Sequence, residues 1–218
     1  MVQNSPEGPG EQHAIALDAS GELSRRDRIL TVAIEQVSDK GFAAARMDEM
    51  AAAAGTNQSL IYYYFGDKRG LYEAALERMV EVTGPFWARI DEASDLVEVF
   101  ELLSSPTVGL EWRRLLAWEG IEHSKDGEVW FAEPRRASLG RLTAAMRRAQ
   151  DRGEMPARMD PEFVALLLIC LTMMPVLLPQ VVSLVTGLEP DGDQFAHRQA
   201  ALFRDFAVVL SRAWSSAK

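Results

Sequence analysis

The chain has 218 residues, 23 Lys plus Arg against 32 Asp plus Glu for a formal charge of −9, 48% apolar content and a single Cys. That is enough chain to bury a core in one or two domains, and the composition excludes disordered, collagen-like and disulfide-stapled classes. One Cys permits no internal disulfide and no Cys-based metal array, so a cytoplasmic protein with no metal and no cofactor is expected, and the acidity counts against nucleic acid unless the charges are unevenly placed.

Residues 1–22 contain Pro6, Gly8, Pro9, Gly10 and Gly21, carry Glu7, Glu11, Asp18 and Glu22, and have no Lys or Arg. They read as a disordered tail, and the missing basic n-region argues against a secretory signal. Ser24 with Asp27 three positions on then resembles a capping box, followed by Ile29, Leu30, Ala33, Ile34 and Val37 at helical spacing up to a stop at Gly41. Met47, Met50, Ala51 and Ala54 make a short second helix ending at Gly55, and a third runs from about Asn57 to Phe65. Asp67 caps a fourth that carries Leu71, Ala75, Met79 and Val82 to a break at Gly84-Pro85. Further helices are expected over residues 91–103, 107–123, 128–151, 161–186 and 194–213, with no strand-like alternation anywhere.

Phe163 to Leu188 contains no charged residue, long enough for the rule of about 20 apolar residues per membrane span. Pro175, Pro179, Gln180, Thr172, Ser183 and Thr186 interrupt it, and its acidic flanks, Glu162 and Glu189, have no adjacent cation to orient a span. The preferred reading is no membrane: a helix covered on all sides, partly by its own domain and partly by a second copy of the chain.

Helix two, the turn at Gly55 and helix three have the dimensions of a helix-turn-helix, whose second helix enters the major groove. Ala51, Ala54, Ile61 and Phe65 are expected to lock the pair together, leaving Thr56, Asn57, Gln58, Ser59, Tyr62 and Tyr63 outward. Asn and Gln can pair with adenine N6 and N7, and Thr or Tyr can add methyl, ring or hydroxyl contacts. Tyr64, Lys68, Arg46 and the trio Arg25, Arg26 and Arg28 are the local supply of phosphate donors. At most two of three consecutive tyrosines can be buried on one helix, so packing alone does not account for Tyr62, Tyr63 and Tyr64.

Gly41-Phe42, the run from Met50 to Gln58, the run from Ile61 to Lys68, and Leu71 together resemble the N-terminal DNA-binding domain of the TetR family of transcriptional regulators. The stretch Leu178-Pro179-Gln180-Val181 and Thr186-Gly187-Leu188 is, more loosely, similar to the family's C-terminal part. The resemblance implies an all-α protein: a three-helix helix-turn-helix domain over residues 23–72, a linker helix to about residue 83, and a helical-bundle ligand-binding and dimerisation domain over residues 84–218. It implies base or phosphate contact for Thr56, Asn57, Gln58, Ser59, Tyr62, Tyr63, Tyr64 and Lys68. Three positions depart from the usual pattern: Arg46 replaces a Thr at the start of helix two and cannot cap in the same way, Tyr64 replaces a His, and Leu60 replaces a small polar residue. Arg46 is kept among the DNA-contacting residues as a charged phosphate contact.

Other chemistry is sparse. Glu119, Glu122 and His123 fall on one helical face, which fits a solvated face or pocket lining better than a metal site lacking further ligands. Asp191, Gly192 and Asp193 read as a turn and a cap, and Cys170 as a buried, inert thiol. No catalytic motif is present, so the protein is expected not to be an enzyme. Phe86, Trp87, Phe100, Trp112, Trp118, Trp130 and Phe131 with Met146, Met173 and Met174 supply core and pocket material. For an effector pocket, the expected lining is Trp87, Phe100, Trp118, Glu119, Glu122, His123, Met146, Cys170, Met173 and Met174, suiting a lipophilic small molecule, a cationic one included.

The expected whole is a homodimeric repressor that pairs through its last two helices, binds a pseudo-palindromic double-stranded operator and is released by a small-molecule effector. The alternative is a helical protein that binds a small molecule or a partner and does not read DNA sequence. The tail carries −4, residues 24–72 carry +1 and residues 73–218 carry −6, so the acidity lies away from the reading domain.

Overall fold

In the computed structural model, residues 24–104, 109–122, 127 and 129–215 are described, with side chains up to residue 210; the N-terminal tail and His123 lie outside the described residues. Ser24 opens the first helix, α1 (Arg25–Ala44), by accepting the Asp27 amide at 3.1 Å and donating its hydroxyl to the Asp27 carboxylate at 2.6 Å. A helix starts there because two otherwise unpaired polar groups are satisfied by one side chain. Asp27 is itself buried and faces Arg78 at 3.6 Å, so the cap of α1 also ties it to the fourth helix.

Helix α2 (Met47–Ala53) and α3 (Gln58–Phe65) follow, and α4 (Lys68–Glu92) begins where Asp67 Oδ1 accepts the Gly70 amide at 2.7 Å. The chain continues as α5 (Leu96–Ser104), α6 (Leu110–Glu122), α7 (Ala132–Asp151), α8 (Pro161–Leu177), α9 (Pro179–Thr186) and α10 (Asp193–Ser215). Among the described residues every regular element is helical, as the apolar spacing predicts.

Two expectations about helix ends are corrected. Helix α4 does not break at Gly84-Pro85; it runs through Pro85 to Glu92. Proline removes one backbone bond, but Phe86, Trp87 and Ile90 are buried on the continuing face, and tertiary packing outweighs the local penalty. The expected helix over 161–186 is two helices, α8 and α9, meeting at 90° across Leu178-Pro179. No single described helix is long and apolar enough to cross a membrane.

Two cores result. The first gathers Ile29, Leu30, Ala33 and Val37 of α1, Met50 and Ala51 of α2, Ile61 of α3 and Leu71, Tyr72 and Leu76 of α4. It also recruits Trp112 and Leu115 of α6, with Trp130 and Phe131 packed against it. These aromatics were read as second-domain residues, yet Trp130 meets Phe42 edge-on at 4.9 Å and Tyr72 at 5.2 Å. Sequence position put them after the apparent boundary, whereas the fold brings the segment before α7 back over the first domain. The second core joins Phe86, Trp87, Ile90, Leu96, Phe100, Leu142, Met146, Leu168 and Phe203.

The packing of α1 on α6 is the most extensive helix contact among the described residues. It depends on Gly41, which sits at φ 81° and makes the kink near the end of α1. A Cβ there would run into the Glu122 carboxylate and lie 3.0 Å from the Trp118 ring. Gly55, at φ 64°, has nothing within 4 Å of a built Cβ. Replacing Gly55 with Ala therefore meets only the left-handed backbone cost, whereas Gly41→Ala adds a clash at the α1–α6 contact. Urea unfolding is expected to give a loss of about 1 kcal/mol for Gly55→Ala and about 2 to 4 kcal/mol for Gly41→Ala.

Candidate nucleic-acid interface and effector cleft

Helices α2 and α3 are joined at Gly55 and locked by Ala51 and Ile61, which are fully buried, with Ala54 and Phe65 packed against the same core. That packing commits one side of α3 inward. The opposite side presents Gln58, Ser59, Tyr62, Tyr63 and Tyr64 to solvent. Tyr62 is 47%, Tyr63 80% and Tyr64 38% exposed, so none of the three serves the core. No acidic residue lies in the first turn of α3.

Asn57 has a narrower role than base reading. Its side-chain oxygen caps α3 by accepting the Leu60 amide at 2.9 Å, which occupies one of the two groups a bidentate adenine contact needs. Thr56, half-buried, precedes it in the turn. A cleft of about 760 Å³ opens beside this turn, lined by Arg25 and Arg28 of α1 together with Thr56, Asn57, Ser59, Leu60 and Tyr63. Cationic and hydroxyl groups thus converge next to the exposed face of α3.

Two expected phosphate contacts are engaged within the chain. Arg46 cannot cap α2 and instead chelates Asp48, at 2.8 and 3.0 Å, with Glu49 at 3.9 Å. The Asp48 hydrogen bond raises the Arg46 pKa and the same bond lowers that of Asp48. Lys68 donates to the Ala43 carbonyl at 3.2 Å and lies 4.6 Å from the centre of the Phe42 ring. The Arg46 contacts have a local cause: α2 starts with two acids, Asp48 and Glu49, which draw in Arg46 and Lys40.

The expected effector lining does not assemble as one wall. Trp87, Phe100 and Met146 are buried in the second core, and Met173 is buried on α8 with Met174 half-buried beside it. Cys170 is exposed, correcting the expectation of a buried thiol, because it lies on the outward face of α8 with Phe163, Leu166 and Leu167. Glu119 and Glu122 are pulled to different partners. Glu119 accepts from Arg135 at 2.7 Å in a mostly buried pair, and burial together with Glu119 raises the pKa of the nearby Tyr72 phenol. Glu122 accepts the Ala43 amide at 3.2 Å. Among the described residues no group of three His, Cys, Asp or Glu side chains is placed to hold a metal ion.

Among the described residues of the expected set, Trp118 alone lines the larger cleft, about 910 Å³ between the end of α1, α6, the α8–α9 bend and the start of α10. Its indole N–H donates to the Ser38 carbonyl at 3.1 Å. Arg114, one turn earlier, pairs with Asp39 at 3.0 Å. Arg114, Trp118 and Glu122 are therefore a stripe at four-residue spacing, each reaching the last turns of α1.

The family model for the N-terminal domain of bacterial regulatory proteins of the tetR family matches residues 29–75, and the model for a tetracyclin repressor-like C-terminal domain matches residues 107–205. The HTH-type transcriptional repressor SCO4008 of Streptomyces coelicolor is 30% identical over 161 residues, covering 73% of this chain and 82% of its own. The chain belongs to the TetR family of transcriptional regulators. Its fold is that of AibR, solved with isovaleryl coenzyme A and operator DNA, at a TM-score of 0.67 and 15% identity over 86% of this chain and 98% of AibR. A regulator from Saccharomonospora viridis, solved in complex with choline, has a TM-score of 0.58 and 20% identity, covering 83% of this chain and 94% of its own. One fold therefore accommodates an anionic thioester and a quaternary ammonium, and the ligand class must be argued from the side chains.

The cap and the exposed face of α3 separate cleanly by mutation. Asn57→Ala removes the acceptor for the Leu60 amide and is expected to lower unfolding free energy by about 1 kcal/mol. Gln58→Ala, at an exposed position, should leave the urea midpoint unchanged.

Proposed function

We propose that this TetR-family regulator is a homodimeric repressor that binds a pseudo-palindromic operator and is released by a small-molecule effector, without catalysis of its own, in the cytoplasm where its DNA lies. The observation that carries the reading is the exposed face of α3, where Gln58, Ser59, Tyr62 and Tyr63 face solvent on a helix with no acid in its first turn, beside the cleft of Arg25 and Arg28. Gln58 and the tyrosines are the base-reading groups, with Thr56 and Ser59 at the turn. Arg25 and Arg28 take the phosphate role, joined by Tyr64. Arg46 and Lys68 contribute only after exchanging Asp48 or Ala43 for phosphate, and Asn57 mainly holds the helix in shape.

Dimerisation is supported by apolar side chains that the single chain leaves uncovered. Phe163, Leu166 and Leu167 of α8, Leu184 and Val185 of α9, and Leu202 and Val209 of α10 are all more than 45% exposed. The charge-free run is thus covered by its own domain on only one side, through Val164, Ala165 and Leu168. A second copy related by a twofold axis covers the remainder and sets two copies of α3 about 34 Å apart, or a multiple of that, along one face of the duplex. The reading domain spans residues 23–72, α4 links it to the bundle, and residues 84–218 carry the dimer face and the effector cleft, with α6 shared between them.

Footprinting on the DNA flanking its own gene is expected to reveal one discrete protected palindrome, and absence of any such site would favour a helical binding protein that does not read DNA. Gln58→Ala should cost about 1 to 3 kcal/mol at one base position, whereas Arg25→Ala should weaken all sequences alike and flatten the salt dependence by about one unit of slope. Leu184→Glu, at a position 85% exposed in one chain, should yield a folded monomer by sedimentation and lose operator binding.

A further inference from the structure

We propose that the cleft between α1, α6 and the α9–α10 turn binds an amphipathic carboxylate whose head group displaces Asp39 from Arg114, so that ligand and the Asp39–Arg114 pair exclude each other. The inference rests on the ligand-responsive reading above and adds the ligand's chemistry and the contact through which it acts. At about 910 Å³ the cleft has the size of a small-molecule site. Leu110, Trp118, Ile121, Leu177 and Phe195 give it apolar walls for a hydrocarbon chain.

Among the described residues its lining cations are Arg113 and Arg114, adjacent on α6. Three acids also line the cleft. Asp39 is already neutralised by Arg114 at 3.0 Å, while Glu189 and Asp191 lie exposed on the turn after α9, on the wall opposite α6. The α6 wall is where an anionic head group is favoured. A fork of guanidinium donors takes a carboxylate from a ligand as readily as from Asp39. The existing pair is solvent-exposed on both sides, 45% and 61%, so the competitor it presents is weak. Apolar burial of the ligand's chain against Trp118 and Phe195 then decides the exchange.

Displacing Asp39 removes one of three α6 side chains that hold the end of α1, and α1 carries the core on which α2 and α3 are seated. Operator and ligand must then oppose each other reciprocally.

The test uses the full-length protein without DNA, titrated calorimetrically with decanoate and, as matched controls, decanol and decyltrimethylammonium. Decanoate should bind saturably, one per chain, and more tightly than either control. Arg114→Gln should weaken decanoate roughly tenfold, and Asp39→Asn should tighten it several-fold, while Glu189→Gln on the opposite wall has little effect. Circular dichroism and the unfolding midpoint verify that each variant is folded. Tighter binding of the ammonium, equal binding by Arg114→Gln and the parent, or weaker binding by Asp39→Asn overturns the proposal. The footprint of the ligand-free protein does not involve the cleft, so failure of operator binding and failure of this site are separate results.

Discussion

The architecture turns on how closely α6 can approach the end of α1. Only a glycine at position 41 permits it, because the backbone there takes a left-handed φ and the Trp118 ring lies where a Cβ would press. Once the helices are that close, Trp118 reaches the Ser38 carbonyl, Glu122 the Ala43 amide and Arg114 the Asp39 carboxylate. Two of these satisfy backbone groups near the kinked end of a helix, where intrahelical partners run out. The same contact brings Trp112 and Leu115 into the first core. The reading domain is therefore completed by a helix from the second half of the chain, and its pose is tied to that helix.

The electrostatics of the reading face follow from a different local choice. Helix α2 begins with Asp48 and Glu49, which suit the positive end of the helix dipole but also pair with Arg46 and Lys40. Lys68 is turned toward Ala43 and Phe42. Arg46, Lys40 and Lys68 are thus held by contacts within the chain, and Arg25 and Arg28 at the start of α1 line the cleft beside α3. Under the proposed operator reading, a face of this kind draws its affinity from base contacts and paired geometry more than from bulk charge. The overall −9 is no obstacle, since residues 24–72 carry +1.

Much of this was legible from sequence because it depends on local rules. Caps at Ser24 and Asp67, the stop at Gly55 and apolar spacing placed α1 to α3 and the start of α4, whereas Asn57 was read as a base contact and proved to be the cap of α3. What failed was long-range. Pro85 is a helix breaker in isolation, but Phe86 and Trp87 are held by the second core and carry α4 onward. Trp87, Phe100 and Met146 were assigned to the pocket although such spacing marks core more often, since both want apolar side chains; only packing distinguishes them. Glu122 and Trp118 were visible only as candidate pocket lining, and nothing nearby in sequence names their partners, which lie some eighty positions earlier. The i, i+4, i+8 spacing of Arg114, Trp118 and Glu122 was the one available signal that the three serve a single surface.

The magnitudes constrain how a ligand in the larger cleft could release DNA. An exposed ion pair such as Asp39–Arg114 is worth about 0 to 1 kcal/mol, whereas moving a two-state equilibrium from mostly bound to mostly free needs about 5.5 kcal/mol of differential affinity. Losing that pair alone is too little. Trp118, however, both lines the cleft and fills the space beside Gly41. A ligand that shifts the indole also disturbs the bond to Ser38 and the tight contact that sets the α1 kink, and packed contacts of this kind switch between discrete arrangements rather than yielding gradually. In the proposed dimer two such sites add their contributions. The ion pair is then the point of entry for the head group, and the close approach at Gly41 is the element whose two arrangements the operator and the ligand would favour differently.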